Sequence, residues 1–373
     1  MRTEARIELA AIRANVAALA ACAAGGAQVM AVVKADGYGH GLVPSATAAV
    51  EGGAAWLGVA FVEEALALRA AGIDVPLLAW LTTPGEDVAA AVAAGVDLGT
   101  YDVGQVHAAT AAARTAGVSA RLQLKVDTGL SRGGATVADW PELCEVAAKA
   151  EAGGEVRVTG LWSHFAFADG GPDHVTNRAQ AALFAGALEV ADRAGLRPEV
   201  RHLANSAATL TAPATHYDLV RPGLAVYGLS PVPQLGGPAH FGLRPAMTLA
   251  STVALTKRVP AGAGVSYLHR HVTDRETTLA LVPLGYADGV PRNATNLGRV
   301  LLGGRRRTIA GTVCMDQFVL DVGDDVVAAG DEVVLFGPGD RGEPTAQEWA
   351  EALGTINYEI VTRVGARVPR VLV

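Results

Sequence analysis

From about residue 29 to residue 235 the chain repeats one unit eight times: a short apolar run ending in polar or glycine residues, then an alanine-rich amphipathic segment. The runs of strand type are Val29–Val33, Trp56–Ala60, Pro76–Trp80, Val96–Gly99, Arg121–Val126, Val158–Ser163, Glu199–Leu203 and Asp218–Arg221. Between them the spacing predicts helices such as Val62–Ala71, Glu86–Ala94, Val103–Ala116, Pro141–Ala152 and Thr176–Ala194. Gly72, Gly95, Gly117 and Gly195 follow four of these as stop residues. Strands buried on both faces read as near-continuous apolar runs. Eight of them alternating with helices predict an α/β fold, a parallel (β/α)8 barrel of the TIM type. The rival is a doubly wound open sheet, which would more often carry a glycine fingerprint after its first strand; none is present.

After about residue 240 the character changes. Thr248–Ala254, Thr278–Val282, Thr308–Met315, Phe318–Val322 and Glu332–Phe336 have strand composition with Gly and Asp/Gly turns between them, and one helix is expected at Ala346–Leu353. This predicts a mostly β C-terminal domain over residues 239–373, following a barrel over residues 9–238. The opening strand, Ala5–Leu9, precedes the first helix, so residues 1–8 are expected to join the β domain. A hydrophobic half of the composition against 18% charged residues excludes a disordered chain. A formal charge of −7 argues against nucleic acid as a partner. The one basic run, Arg305-Arg306-Arg307, reads as a solvated hairpin behind Gly303-Gly304. Three widely spaced cysteines fit neither a disulfide framework nor a metal site and suit a reducing cytoplasm. No HExxH or Cys/His cluster points to a metal, and no signal peptide or membrane span is read.

The unusual polar residues fall at one end of the predicted barrel. Lys34 ends the first strand inside AVVKADGYGHG, Lys125 lies near the end of the fifth, and Arg132 sits in the loop after it. His164 ends the sixth strand, His202 lies near the end of the seventh, and Arg221 ends the eighth. Barrel active sites lie at this face. A lone amine at the carboxyl end of a buried strand is placed like a carbonyl-trapping nucleophile, because burial disfavours its cation. Alternatively it caps the strand and snorkels to water. For Lys125, with Asp127 two residues on, an interior salt bridge is the competing reading. The loops after the last two strands, Asn205-Ser206-Ala207 and Arg221-Pro222-Gly223-Leu224, are where barrels often hold phosphate. A phosphorylated aldehyde held by an amine uses all of these parts, which describes pyridoxal 5′-phosphate (PLP).

Nine segments, in order, carry a family resemblance: AVVKADGYGHG, LKVDTGLSRGG, LWSHFAFAD, HLANSAA, LVRPGLAVYGL, GVSY, PLGYADGVPR, GTVCMDQ and INYEIVTRVGARVPRV. Over essentially its whole length the chain resembles bacterial alanine racemase, the fold-type III PLP enzyme. The resemblance implies that Lys34 holds PLP in Schiff-base linkage and is the base serving the D-enantiomer. It implies that Tyr267 is the opposite base, serving the L-enantiomer from the other subunit of a homodimer. Arg221 would bond the pyridine nitrogen, and Tyr38, Ser206, Gly223, Leu224 and Tyr358 would surround the phosphate. Arg132 would contact the cofactor's phenolic oxygen and the substrate carboxylate. Met315 would meet that carboxylate from the partner chain through its backbone N–H. His164 would stack or hydrogen-bond near the cofactor ring and help orient Arg221, Tyr286 would line the entrance, and Lys125 would be carbamylated, an anion fixing Arg132. In the family the product D-alanine supplies peptidoglycan.

Two departures stand out. Gly37 replaces an alanine common in relatives, and Leu268 follows Tyr267 where many relatives have glycine. Cys314, beside Met315, reads as a small apolar bystander. A fold-type III decarboxylase shares the barrel and lysine but needs no base at Tyr267. A PLP-binding regulatory protein would resemble the barrel alone.

Overall fold

A computed structural model describes residues 2–171 and 173–373. The chain divides into two compact units. One comprises Ile12–Gly37 and Leu42–Leu243; the other comprises the N-terminal segment through Ala11, Tyr38–Gly41 and Arg244–Val373.

The strands, in chain order, begin with β1 (Thr3–Ile7) of the second unit. The first unit then supplies β2 (Gln28–Val32), β3 (Trp56–Val59), β4 (Leu77–Ala79), β5 (Asp97–Thr100), β6 (Ala120–Lys125), β7 (Val156–Trp162), β8 (Val200–His202) and β9 (Leu219–Val220). These eight pair in parallel in the order β8-β7-β6-β5-β4-β3-β2-β9. The sheet returns on itself where Asp218 N donates to Arg201 O (3.1 Å) and Arg221 N to Ala204 O (2.9 Å). All eight expected strands are present, and the fold is a nearly closed parallel barrel. The helix at Val103–Ala116 matches its expected span, with Asp102 capping Gln105 N and Gly117 ending it at φ 71°.

The barrel interior differs from the Val, Ile and Leu filling usual for the fold. On β6 the alternating positions Arg121, Gln123 and Lys125 share one face, because successive strand residues point to opposite sides. Large side chains fill the space beside them at the expense of glycine. A Cβ at Gly160 would lie 2.8 Å from Gln123, and one at Gly58 would lie 2.7 Å from Trp80. The sequence therefore encodes the polar interior partly through glycines on neighbouring strands.

The second unit continues with β10 (Met247–Thr252), β11 (Leu255–Val259), β12 (Gly264–Val265), β13 (His271–Val272), β14 (Thr277–Val282), β15 (Arg299–Leu302), β16 (Arg305–Thr308), β17 (Phe318–Gly323), β18 (Glu332–Phe336) and β19 (Arg370–Leu372). They form sheets β16-β15-β18-β10-β1-β19, β11-β14-β17 and β12-β13. β1 lies antiparallel to β10, from Thr3 opposite Ser251 to Ile7 opposite Met247, and parallel to β19. The helix Ala346–Leu353 starts in a Thr345–Glu348 capping box.

One expectation fails here. The segment Thr308–Met315 is not a strand: after Thr308 and a single bridge at Ile309 it runs as a loop. Its backbone is spent elsewhere, with Gly311 N on Asn296, Val313 N on Thr295 and Cys314 O accepting from Tyr286 N. The basic run forms the hairpin expected of it: as the strand β16 it pairs with β15 across the Gly303-Gly304 turn, with Arg305 and Arg306 exposed. Its arginines are ion-paired, Arg305 and Arg307 to Asp325 and Arg306 to Glu348.

Candidate active site

Four cations meet at the carboxyl-end mouth of the barrel unit. Lys34 follows β2 and opens a turn in which Ala35, Asp36, Gly37 and Tyr38 all have positive φ, between 53° and 60°. Only glycine adopts that conformation freely. The turn is held by Gly37 N on Val33 O (2.9 Å), Ala35 N on Glu64 (2.6 Å) and Leu42 N on Asp36 (2.8 Å). The Lys34 amine lies 5.6 Å from the Trp80 ring centre. Burial, and then the Arg132 charge, hold its pKa below the usual lysine range, against the pull of Glu64.

Lys125 is 5% exposed, its amine 4.7 Å from the Trp162 ring centre and 5.1 Å from that of Tyr101. Burial, then Arg132 and Arg221, push its pKa down to about 8. The interior salt bridge with Asp127 does not form. Asp127 instead accepts the N–H groups of Gly129, Leu130 and Ser131. Arg132, exposed in this loop, has no hydrogen-bond partner among the described residues and is available to an anion.

Arg221 is buried and has no carboxylate partner among the described residues. Its Nη1 donates to His202 Nδ1 (2.9 Å); its Nη2 donates to Ser163 O (2.8 Å), His164 Nδ1 (3.1 Å) and Leu203 O (3.3 Å). A guanidinium carries five N–H groups, so the Nε–H and one Nη1–H remain uncommitted. Burial lowers its pKa to about 9, which still leaves it cationic at neutral pH. His164 is kept neutral by burial and then by the Arg221, Arg132, Lys125 and Lys34 charges, in that order. Ser206 Oγ accepts from Gly223 N (2.8 Å) and Ala225 N (3.4 Å), joining the last two loops, with Leu224 buried beside them.

His202 has a consequence for stability. Fully enclosed, its pKa lies well below the usual histidine value through burial and then the Arg221 charge. The unfolded chain therefore binds a proton below pH ~6.5 that the folded chain does not. Its contribution is complete above that pH and is lost as pH falls, by about 1.4 kcal/mol per pH unit. Urea midpoints between pH 7 and pH 5 are expected to fall less steeply in His202→Gln than in the parent.

The remaining residues lie in the other unit. Tyr38 is buried and its phenol held above the usual range by burial; its ring centre is 6.3 Å from that of Tyr358. Tyr267, Met315 and Tyr286 come together on three linked loops and are 70%, 54% and 42% exposed. Ser266 Oγ donates to Thr312 O (2.7 Å), and Thr312 Oγ1 donates to Tyr267 O (2.7 Å). Tyr286 N bonds Cys314 O and Ala287 N bonds Met315 O, both at 3.0 Å. Cys314 is half-buried, and its Sγ lies 3.2 Å from Ser266 Oγ. Leu268 sits at φ 63°, the conformation that glycine adopts without cost.

Sequence reasoning missed the interior residues Asp97, Gln123, Trp80, Tyr101 and Trp162. The signal was available in Arg121-Leu122-Gln123-Leu124-Lys125, whose polar residues alternate inside an apparently apolar strand.

Comparison with known proteins gives concordant findings. Residues 7–231 match the family model "Alanine racemase, N-terminal domain", and residues 246–372 match "Alanine racemase, C-terminal domain". The chain is 67% identical over 370 residues to an alanine racemase of Frankia casuarinae, covering 99% of this chain and 96% of that one. It superposes on the crystal structure of alanine racemase from D-cycloserine-producing Streptomyces lavendulae with a TM-score of 0.98 at 56% identity, covering 100% and 97% of the two chains. It superposes on the Bacillus anthracis alanine racemase with bound L-Ala-P with a TM-score of 0.90 at 35% identity, covering 100% and 95%.

Proposed function

This chain belongs to the alanine racemase family, and we propose that it interconverts L-alanine and D-alanine with PLP at the mouth of its barrel. The observation that carries this reading is the pairing at that mouth of an amine pushed toward neutrality, Lys34, with a buried arginine that has donors to spare, Arg221. When bound, PLP supplies an electron-withdrawing ring that weakens the Cα–H bond of an attached amino acid. The residues fit it. Lys34 would hold the aldehyde. The uncommitted donors of Arg221 suit an unprotonated ring nitrogen, which an always-protonated guanidinium bonds without giving up a proton. Ser206, Gly223 and Leu224 would bind the phosphate, with Tyr38 and Tyr358 added by the family pattern. Arg132, which has no hydrogen-bond partner among the described residues, would take the substrate carboxylate, and His164 would lie near the ring and keep Arg221 in place.

Removing the α-proton and returning one to the opposite face needs two bases. Lys34 would serve the D-enantiomer and Tyr267 the L-enantiomer. We place Tyr267 and Met315 in the site of a second copy, in a homodimer, because both are exposed and the backbone N–H of Met315 has no backbone partner among the described residues. Tyr286 would line the entrance. No described helix is long and apolar enough to cross a membrane, and all three cysteines are free, which suits a cytoplasmic enzyme supplying D-alanine to peptidoglycan. Chiral chromatography after incubating L-alanine, L-serine and L-lysine with enzyme and PLP tests the reading. D-alanine is expected as the main product; turnover of serine or lysine without alanine would refute it.

Lys125 would be carbamylated. Its pKa of about 8 leaves part of the amine neutral and able to attack CO₂; the new N–C bond forms as one amine proton leaves to solvent, and the product is an anion beside Arg132 and Arg221 that relieves their repulsion. Labelled bicarbonate is expected to give a ¹³C carbamate resonance that is absent in Lys125→Ala. An unenriched spectrum in the parent would exclude the modification.

A further inference from the structure

Arg221 is a buried cation without a direct counter-ion among the described residues, yet an anion lies at the far end of a hydrogen-bond chain that begins on it. His202 Nδ1 faces Arg221 Nη1 (2.9 Å), and His202 Nε2 faces Gln123 Oε1 (2.7 Å). Gln123 Nε2 donates to Asp97 Oδ2 (2.9 Å). Asp97, Gln123 and His202 are all fully buried.

Elementary donor rules fix every direction in this chain. Arg221 can only donate, so His202 Nδ1 is bare and its proton sits on Nε2. The carboxylate of Asp97 can only accept, so the Gln123 amide turns its NH₂ toward Asp97 and its oxygen toward His202. The two ends demand the same tautomer, and each bond polarises the next. Thr159 Oγ1 (2.5 Å) and Arg121 Nε (2.6 Å) anchor Asp97, and Trp162 stacks on His202 with ring centres 5.7 Å apart.

We propose that Asp97, itself ion-paired to Arg121, is the acceptor end of a relay through Gln123 and His202 that fixes the His202 tautomer Arg221 requires, and that these three are positioning residues for the guanidinium. A carboxylate placed directly on Arg221 would occupy two of its N–H groups in the usual fork. The relay takes one and leaves the Nε–H and an Nη1–H for the ligand. It deepens the reading in which Arg221 meets the cofactor's ring nitrogen.

The test is made on the holoenzyme labelled with ¹⁵N-histidine, the His202 signals being those lost in His202→Gln. A single neutral tautomer with the proton on Nε2 is expected. A proton on Nδ1, or an imidazolium, overturns the proposal without any further variant. Gln123→Met removes both amide bonds at nearly constant volume. It is expected to lose the hydrogen-bonded Nε2–H signal and to lower kcat about tenfold, the scale of one buried hydrogen bond, with KM for alanine little changed. A lowered melting temperature with parental tautomer and kcat would mean a merely structural role and overturns the proposal. Arg221→Lys separates the two readings: an unaltered cofactor absorption band would sink the ring-nitrogen assignment while leaving the His202 tautomer as predicted.

Discussion

Lys34→Ala is expected to abolish racemisation in both directions, by about 10⁴-fold, the upper end for removing a positioned base. The loss is large because one amine does two jobs: it holds the cofactor and moves the proton on one face of the substrate. The rival reading, a strand-capping lysine that snorkels to water, predicts near-parental activity. Geometry favours the first. The amine lies over Trp80, burial and Arg132 both disfavour its cation, and the turn after it is held left-handed over four residues by Glu64, Asp36 and Val33. Holding non-glycine residues there costs about 1–2 kcal/mol each, strain of the kind found at functional sites. Absorption spectra check the assignment separately from turnover: the band of lysine-bound cofactor should vanish in Lys34→Ala, and its persistence would refute the role.

Tyr267→Phe is the second large expectation, with kcat/KM lowered about 10²–10⁴-fold and PLP still bound. L- and D-alanine are mirror images of equal free energy, so this loss must be the same in both directions. The side chain is mostly exposed and the loop is held through backbone atoms by Ser266 and Thr312, so removing the hydroxyl leaves those contacts in place. A fold-type III decarboxylase would not need this tyrosine. Mixing Tyr267→Phe with an Arg221-inactivated chain is expected to restore part of the activity if each site draws its tyrosine from the partner.

The barrel was legible because buried parallel strands leave apolar runs at regular spacing and because glycines stop the helices between them. Basic residues at the strand ends marked the mouth for the same reason: they have no place in an apolar core. Three features were not legible. The strand holding Arg121, Gln123 and Lys125 looked apolar, since its outward residues are leucines; its polar alternation, with Gly160 and Gly58 making room across the barrel, marks the polar interior but not which aromatic side chains fill it. Thr308–Met315 has strand composition, but the side chains of Thr295, Asn296 and Ser266 and the backbone N–H of Tyr286 claim its backbone. The left-handed turn after Lys34 includes Ala35 and Asp36, whose propensities give no sign of positive φ. Tyr267 and Met315 could be found only through the family resemblance, because nothing in their local spacing distinguishes them from other residues of a β domain.

The central claim is that two residues, Lys34 and Tyr267, work on opposite faces of one substrate. Solvent exchange in D₂O tests it most directly. Tyr267→Phe is predicted to wash deuterium into the α-position of D-alanine, on the Lys34 face, with configuration retained and almost no L-alanine formed. Loss of exchange in step with loss of racemisation, or exchange confined to L-alanine, would contradict the account.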